Sequence, residues 1–211
     1  MKTKKKMQIS LAAVLLLVCG AAFAYTSKQE PAAMYFGFQP GYANMHYTKE
    51  CLKTPSIDIT NIGSVDSSGF AGRFYVGYDF NKNFGMEVGY VFLPKIKFNN
   101  VNALGYLPFD ASFNQNIFDF CAKATLPLKY NIDLYGKAGA AIVVRDDFEL
   151  STGGQTAEAD SQDTETVPAI GAGVDYGFND HVFADLSYMH YFGKNDLQAT
   201  DFVGIGLIYR I

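Results

Sequence analysis

The sequence predicts an all-β protein, an eight-stranded antiparallel up-and-down transmembrane β-barrel. Three observations predict it. Large apolar residues recur at every second position through eight segments of about ten residues. The linkers joining those segments alternate between short and long. Beyond residue 24, no uninterrupted apolar run reaches the ~18 residues that a membrane helix needs.

The chain is expected to begin with a leader. Lys2, Lys4, Lys5 and Lys6 form a basic n-region, Leu11 to Val18 an apolar h-region, and Ala22-Phe23-Ala24 an A-x-A cleavage site. Residues 1–24 therefore read as a secretory signal peptide and 25–211 as the barrel domain. Cys19 raises the rival of lipoprotein processing, but Val18 stands where a small residue is usual. Of the 211 residues, 187 then remain, with 13 Lys+Arg against 21 Asp+Glu and a net charge of −8. An acidic chain without a basic cluster is a poor partner for nucleic acid. Only Cys51 and Cys121 follow the leader, too few for a disulfide scaffold, and both are expected to stay free.

The first strand carries Met34, Phe36, Phe38 and Tyr42 on one face, opposite Gly37, Gln39 and Gly41. In the second, Phe70, Phe74, Val76, Tyr78 and Phe80 alternate with Ala71, Arg73, Gly77 and Asp79. The third places Phe84, Met86, Val88, Tyr90 and Phe92 against Gly85, Glu87 and Gly89. Phe118, Phe120, Ala122, Ala124 and Leu126 follow, against Asp119, Cys121, Lys123 and Thr125. The fifth sets Ile132, Leu134, Ala138, Ala140, Ile142 and Val144 against Asp133, Lys137, Gly139 and Ala141. The sixth sets Pro168, Ile170, Ala172, Val174, Tyr176 and Phe178 against Gly171, Gly173, Asp175 and Gly177. Val182, Ala184, Leu186 and Tyr188 alternate with Asp185 and Ser187, and Val203, Ile205, Leu207, Tyr209 and Ile211 with Gly204, Gly206 and Arg210.

Ten residues make roughly 33 Å of strand, enough when tilted to cross a ~25 Å apolar band. Alternation alone also suits a soluble barrel, with Glu87, Lys123, Lys137, Asp175 and Asp185 facing water. Linker lengths decide against that. Residues 81–83, 127–131 and 179–181 are short turns, whereas 44–69, 94–113, 145–165 and 192–201 are long loops. Short turns at one end and long loops at the other are the layout of outer-membrane barrels, with aromatics near strand ends as interfacial girdles. Sheet edges left open in lipid would strand backbone donors and acceptors, so the eight strands must close.

Several stretches resemble the transmembrane domain of the outer membrane protein A (OmpA) family. Gly77-Tyr78-Asp79-Phe80-Asn81-Lys82-Asn83-Phe84-Gly85-Met86-Glu87-Val88-Gly89-Tyr90 is similar to its second and third strands. Ala122-Lys123, Pro127 and Ile132-Asp133-Leu134-Tyr135-Gly136-Lys137 resemble the passage from strand four to five, and 168–176 with Leu186 and Tyr188 resembles strands six and seven. The closing 204–211 resembles the C-terminal signal read by the barrel-assembly machinery, carried here by Gly206, Tyr209 and Ile211, with Ile211 where an aromatic is usual. The family's separate peptidoglycan-binding domain is expected to have no counterpart here. The resemblance implies an outer membrane, multi-pass location with both termini in the periplasm, and a monomer.

It also implies a lumenal network. In that family a lumenal glutamate alternates between an arginine and a lysine across a narrow passage; Glu87 matches the glutamate, Lys123 the lysine and Asp175 a further acid. Asp185 stands in the arginine's place, and Arg73 points inward where the family has glycine. The lumen then holds Arg73, Lys123 and Lys137 against Glu87, Asp119, Asp175 and Asp185, with Glu87 expected on Lys123. Buried ions must be paired, so a structural plug is favoured over a working gate.

Signals for catalysis are poor. No histidine among His46, His181 and His190 begins an H-x-S pair, and His46 with Asp66 and Ser67 is only a weak echo of an acyltransferase set. The acidic loop from Asp146 to Glu165 lacks the spacing of a calcium loop, though it could meet lipopolysaccharide through a divalent ion. No catalytic residue, metal site or cofactor is expected. The sequence therefore points to a structural or adhesion-type surface role through long external loops. The partners are outer membrane lipids, lipopolysaccharide, the assembly machinery and a host or environmental ligand. A narrow solute pore is the alternative, and a lipid A-modifying enzyme stands behind it.

Overall fold

A computed structural model of the protein describes residues 32–49, 59–103, 108–152, 155–159, 163–195 and 197–211. The expected signal peptide (1–24), its expected cleavage site and Cys51 lie outside them. The described strands are β1 (Ala33–Asn44), β2 (Ile59–Asp66), β3 (Ser68–Asp79), β4 (Phe84–Phe92), β5 (Ile96–Ala103), β6 (Phe109–Phe113) and β7 (Gln115–Pro127). They continue with β8 (Ile132–Arg145), β9 (Phe148–Thr152), β10 (Gln155–Ala159), β11 (Asp163–Gly177), β12 (Val182–Tyr191) and β13 (Thr200–Arg210).

Eight of these close a barrel in the order β1-β13-β12-β11-β8-β7-β4-β3, each pair antiparallel. All eight coincide with the alternating segments of the sequence. The seam joins first strand to last, with Phe36 opposite Tyr209 and Tyr42 opposite Val203, so no barrel strand keeps an open edge. Outward positions hold the bulky apolar side chains: Phe36, Phe38, Phe74, Val88, Phe120, Leu186 and Ile205 are all exposed. A protein with its apolar residues outside and its ions inside is built for a lipid surround.

The two tightest turns share one device. Asn81 accepts from the backbone N–H groups of Asn83 and Phe84, and Asn179 from those of His181 and Val182. An Asn side chain that bonds its own backbone two residues on fixes a turn locally.

The loops are not loops. Alternation there is too short and broken to announce strands, yet β2, β5, β6, β9 and β10 form a second, five-stranded sheet in the order β10-β9-β6-β5-β2. Three separate connections contribute to it. β2 pairs with β5, β5 with β6, and β6 with β9 through Asp110–Ser151, Ala111–Leu150 and Ser112–Glu149. One face buries Ile62, Ile96, Phe98, Val101, Ala111 and Phe113 against Met45 and Tyr47. At roughly 25 cal/mol per Å² of apolar surface, such a cluster stabilises the sheet in its own right.

Candidate functional site

Inward-facing residues divide the lumen into three layers. At the long-loop end each barrel strand points a small or apolar residue to the axis: Ala43, Ala71, Val91, Ile117, Val143, Val167, Met189 and Phe202, all buried in one cluster. Leu93 packs on both this cluster and the core of the loop sheet, so apolar contact is continuous across the rim. Sequence alternation missed this layer. Its signal is the consecutive apolar pairs Val91-Phe92, Ile117-Phe118, Val143-Val144 and Phe202-Val203, where both faces of a strand are apolar.

Below it lies the charged layer. The seven residues singled out from the sequence, Arg73, Glu87, Asp119, Lys123, Lys137, Asp175 and Asp185, are each at most 4% exposed. Arg73 is central. Its Nε donates to Asp119 Oδ2 at 3.0 Å, and its Nη2 donates to Asp119 Oδ1 at 2.6 Å and Glu87 Oε1 at 2.7 Å. Glu87 also takes Lys137 Nζ at 2.7 Å and the Tyr35 hydroxyl at 3.0 Å. Tyr191 donates to Asp119.

The pairing of Glu87 with Lys123 expected from the sequence is not the one formed. Glu87 is held by Arg73 and Lys137, while Lys123 Nζ lies 3.4 Å from Asp175 Oδ2. The register explains it: Lys123 and Lys137 are directly opposed on β7 and β8, and adjacent like charges separate toward different acids. Asp185 has no salt-bridge partner among the described residues. Instead Gln39, Tyr75 and Tyr135 donate to it at 2.6, 2.5 and 2.5 Å. An amide and two phenols thus solvate a carboxylate that stands where the resemblance puts a cation.

Glycine makes room for these bulky groups. A Cβ at Gly77 would fall 2.0 Å from Tyr35 Cζ, and one at Gly89 would fall 2.5 Å from Arg73 Nη2. The inward glycines of the sequence are therefore the sockets into which neighbouring strands place rings and guanidinium.

At the short-turn end the lumen opens into a vestibule of about 730 Å³, lined among others by Asp79, Lys123, Asp133, Asp175, Phe183 and Arg210. Arg210 Nη2 bonds Asp79 at 3.0 Å.

The remaining singled-out residues disperse. His46 does not meet Asp66 or Ser67; its Nε2 lies 2.6 Å from Asp201, whose other oxygen takes His190 and Tyr188. Asp66 accepts from Asn99, and Ser67 donates to the Tyr47 carbonyl. Of the acidic loop, Glu149 pairs with Lys95, Asp163 with Arg145 and Glu165 with Lys194. Among the described residues no group of three His, Cys, Asp or Glu is arranged to hold a metal. Cys121 is buried and free. On β13, Gly206 backs onto the Phe38 carbonyl and Tyr209 packs outward on Phe36 and His181; just past the strand, Ile211 bonds the Met34 carbonyl through its backbone N–H.

Residues 29–211 match the model of the OmpA-like transmembrane domain. The chain belongs to that family. This OmpA-like barrel is 25% identical over 178 residues to outer membrane protein A of Klebsiella aerogenes, covering 83% of the chain but 46% of that protein. The chain thus spans about half the length of its OmpA relatives. It is also 28% identical over 173 residues to an uncharacterized protein of Coxiella burnetii, covering 68% of the chain and 69% of that protein. Among solved structures, Neisserial surface protein A superposes with a TM-score of 0.53 at 17% identity, covering 86% of the chain and all (100%) of that structure. OprG of Pseudomonas aeruginosa gives 0.52 at 14%, covering 88% and 99%. These share the barrel fold. The OmpA-like chain is an outer membrane β-barrel.

Proposed function

We propose that this barrel is a closed scaffold, and that its work is done by the five-stranded sheet it carries, in a structural or adhesion-type role at the cell surface. One observation carries the reading. The lumen is filled by an apolar layer above a bonded ion network, whereas three long connections are folded into a sheet with its own core. An eight-stranded barrel leaves only the room that side chains fill, and rigid scaffolds commonly present function on connecting segments. In this reading the short turns and both termini face the periplasm and the sheet stands outside the cell. The outward aromatic belt meets lipid and lipopolysaccharide. Gly206, Tyr209 and Ile211 serve recognition by the assembly machinery, and the charged network is a structural plug. No catalysis is assigned, because His46, Asp66 and Ser67 engage separate partners.

The test replaces residues 59–66, 96–113 and 146–162 with short turns in the otherwise intact chain. The barrel is expected to fold, shown by heat-dependent migration on a gel, while binding of cells to host or environmental surfaces is lost. Unchanged surface binding moves the function elsewhere. Steady conductance of the intact protein in a planar bilayer would establish the pore reading instead.

A further inference from the structure

We propose that the short-turn vestibule binds an organic ammonium ion, held between Asp175 and Asp133. Three observations meet there. First, the network's charges do not balance: the three cations Arg73, Lys123 and Lys137 face the four carboxylates Glu87, Asp119, Asp175 and Asp185, all buried. Second, the imbalance is local. Asp175 is directly opposed by Asp133 on β8 and by Asp185 on β12, so three carboxylates lie in a row across neighbouring strands. Side chains so opposed stand roughly 5 Å apart, and like charges there repel. Third, Asp175 is 3% exposed and its Oδ1 has no hydrogen-bond donor among the described residues, while its Oδ2 takes Lys123 at 3.4 Å and the Asp185 carboxyl lies alongside. Asp185, by contrast, is satisfied by three donors.

An excess buried carboxylate with a bare oxygen recruits a cation. The surroundings select an ammonium. The lumen already holds one in this manner: Lys123 Nζ sits 4.8 Å from the Tyr35 ring centre and 4.7 Å from that of Tyr135 while facing Asp175. Cations are attracted to aromatic faces. The vestibule, at about 730 Å³, leads to Asp175 and is walled by Phe183 and Asp133, so an alkyl chain has room behind the charged head. No three acidic or imidazole groups among the described residues are set for a metal ion.

The experiment titrates the folded full-length barrel in detergent micelles with 1,5-diaminopentane dihydrochloride at neutral pH, by calorimetry, with sodium chloride as the control. Saturable binding of the diamine and none of sodium is expected. Asp175→Asn should weaken it by roughly tenfold or more, about 1.4 kcal/mol. Asp133→Asn, on the open wall, should weaken it with the barrel intact, and Asp110→Asn on the loop sheet should leave it unchanged. No saturable heat with the wild type overturns the proposal, the carboxylates then being balanced by a shared proton. Equal binding by wild type, Asp175→Asn and Asp133→Asn overturns it too.

Discussion

Lys123 and Lys137 stand directly opposite one another on β7 and β8, yet their ammonium groups bond acids on different strands, Lys137 to Glu87 on β4 and Lys123 to Asp175 on β11. The lumen is organised by that divergence. Lys137 joins the dense cluster around Arg73, where every bond is short. Lys123 faces the vestibule, with one long contact and two aromatic rings.

Removing Arg73 should be the costliest single change in the lumen. Arg73→Leu leaves Asp119 with the Tyr191 hydroxyl but no cation, and Glu87 with Lys137 and Tyr35 alone; breaking a buried pair costs typically ~3–5 kcal/mol. Arg73→Leu with Asp119→Leu should recover part of the loss, because the second change removes an uncompensated charge. Urea unfolding in lipid vesicles measures both. A single variant as stable as the wild type would show that the cluster carries no stability.

Lys123→Ala leaves the buried Asp175 without its cation, but the bond it forfeits is a long one, so the cost should be smaller, about 2–3 kcal/mol. A loss equal to that of Arg73→Leu would mean that Lys123 bonds more tightly than its 3.4 Å contact indicates.

The apolar layer makes its own prediction. Phe202→Ala removes a fully buried ring from a layer that closes the lumen, at an expected cost of ~3–5 kcal/mol. Planar-bilayer recordings should show no steady conductance for the wild type or for this variant, because the ion network beneath still fills the barrel. Conductance that appears only in Phe202→Ala would make the apolar layer the sole barrier.

The eight barrel strands were legible in the sequence because lipid outside and ions inside impose a two-residue period on each. Phe84 to Phe92 shows it plainly. The seven network residues were legible for the same reason, as charges on the inward face. Their partners were not. Whether Glu87 meets Lys123 or Lys137 depends on strand register and side-chain direction, which alternation does not encode. The loop sheet was invisible on other grounds. β6 and β9 are five residues each, and their pairing joins segments from different connections, so no local pattern announces it.

Asn81 and Asn179 should each matter to the turns they hold. Each accepts two backbone N–H groups, worth about 1 kcal/mol per bond. Asn81→Ala and Asn179→Ala are expected to lower the unfolding midpoint, whereas Asn81→Asp, which keeps the acceptor, should be close to neutral. Equal effects of Ala and Asp at position 81 would show that the side-chain oxygen is not what fixes the turn.

The loop sheet is tied to the rim by Tyr47, whose hydroxyl donates to Gln115 at 2.9 Å while its ring packs edge-on to Phe113. Gln115 in turn donates to Thr200 at 3.4 Å, so one chain of bonds runs from the loop-sheet core through β7 to β13. Tyr47→Phe keeps the ring and removes the hydroxyl, which leaves the buried Gln115 oxygen short of a donor at a cost of ~1–3 kcal/mol. That cost falls on the sheet's attachment and not on barrel closure, since the barrel ladders do not involve Tyr47. Limited proteolysis should therefore cut the long connections of Tyr47→Phe faster than those of the wild type, with the heat-dependent gel shift of the barrel unchanged. Tyr47→Ala, which also empties the ring's place against Phe113, should cut faster still. Equal cleavage rates for all three proteins would mean that the sheet is anchored elsewhere, through Leu93 and the continuous apolar contact across the rim.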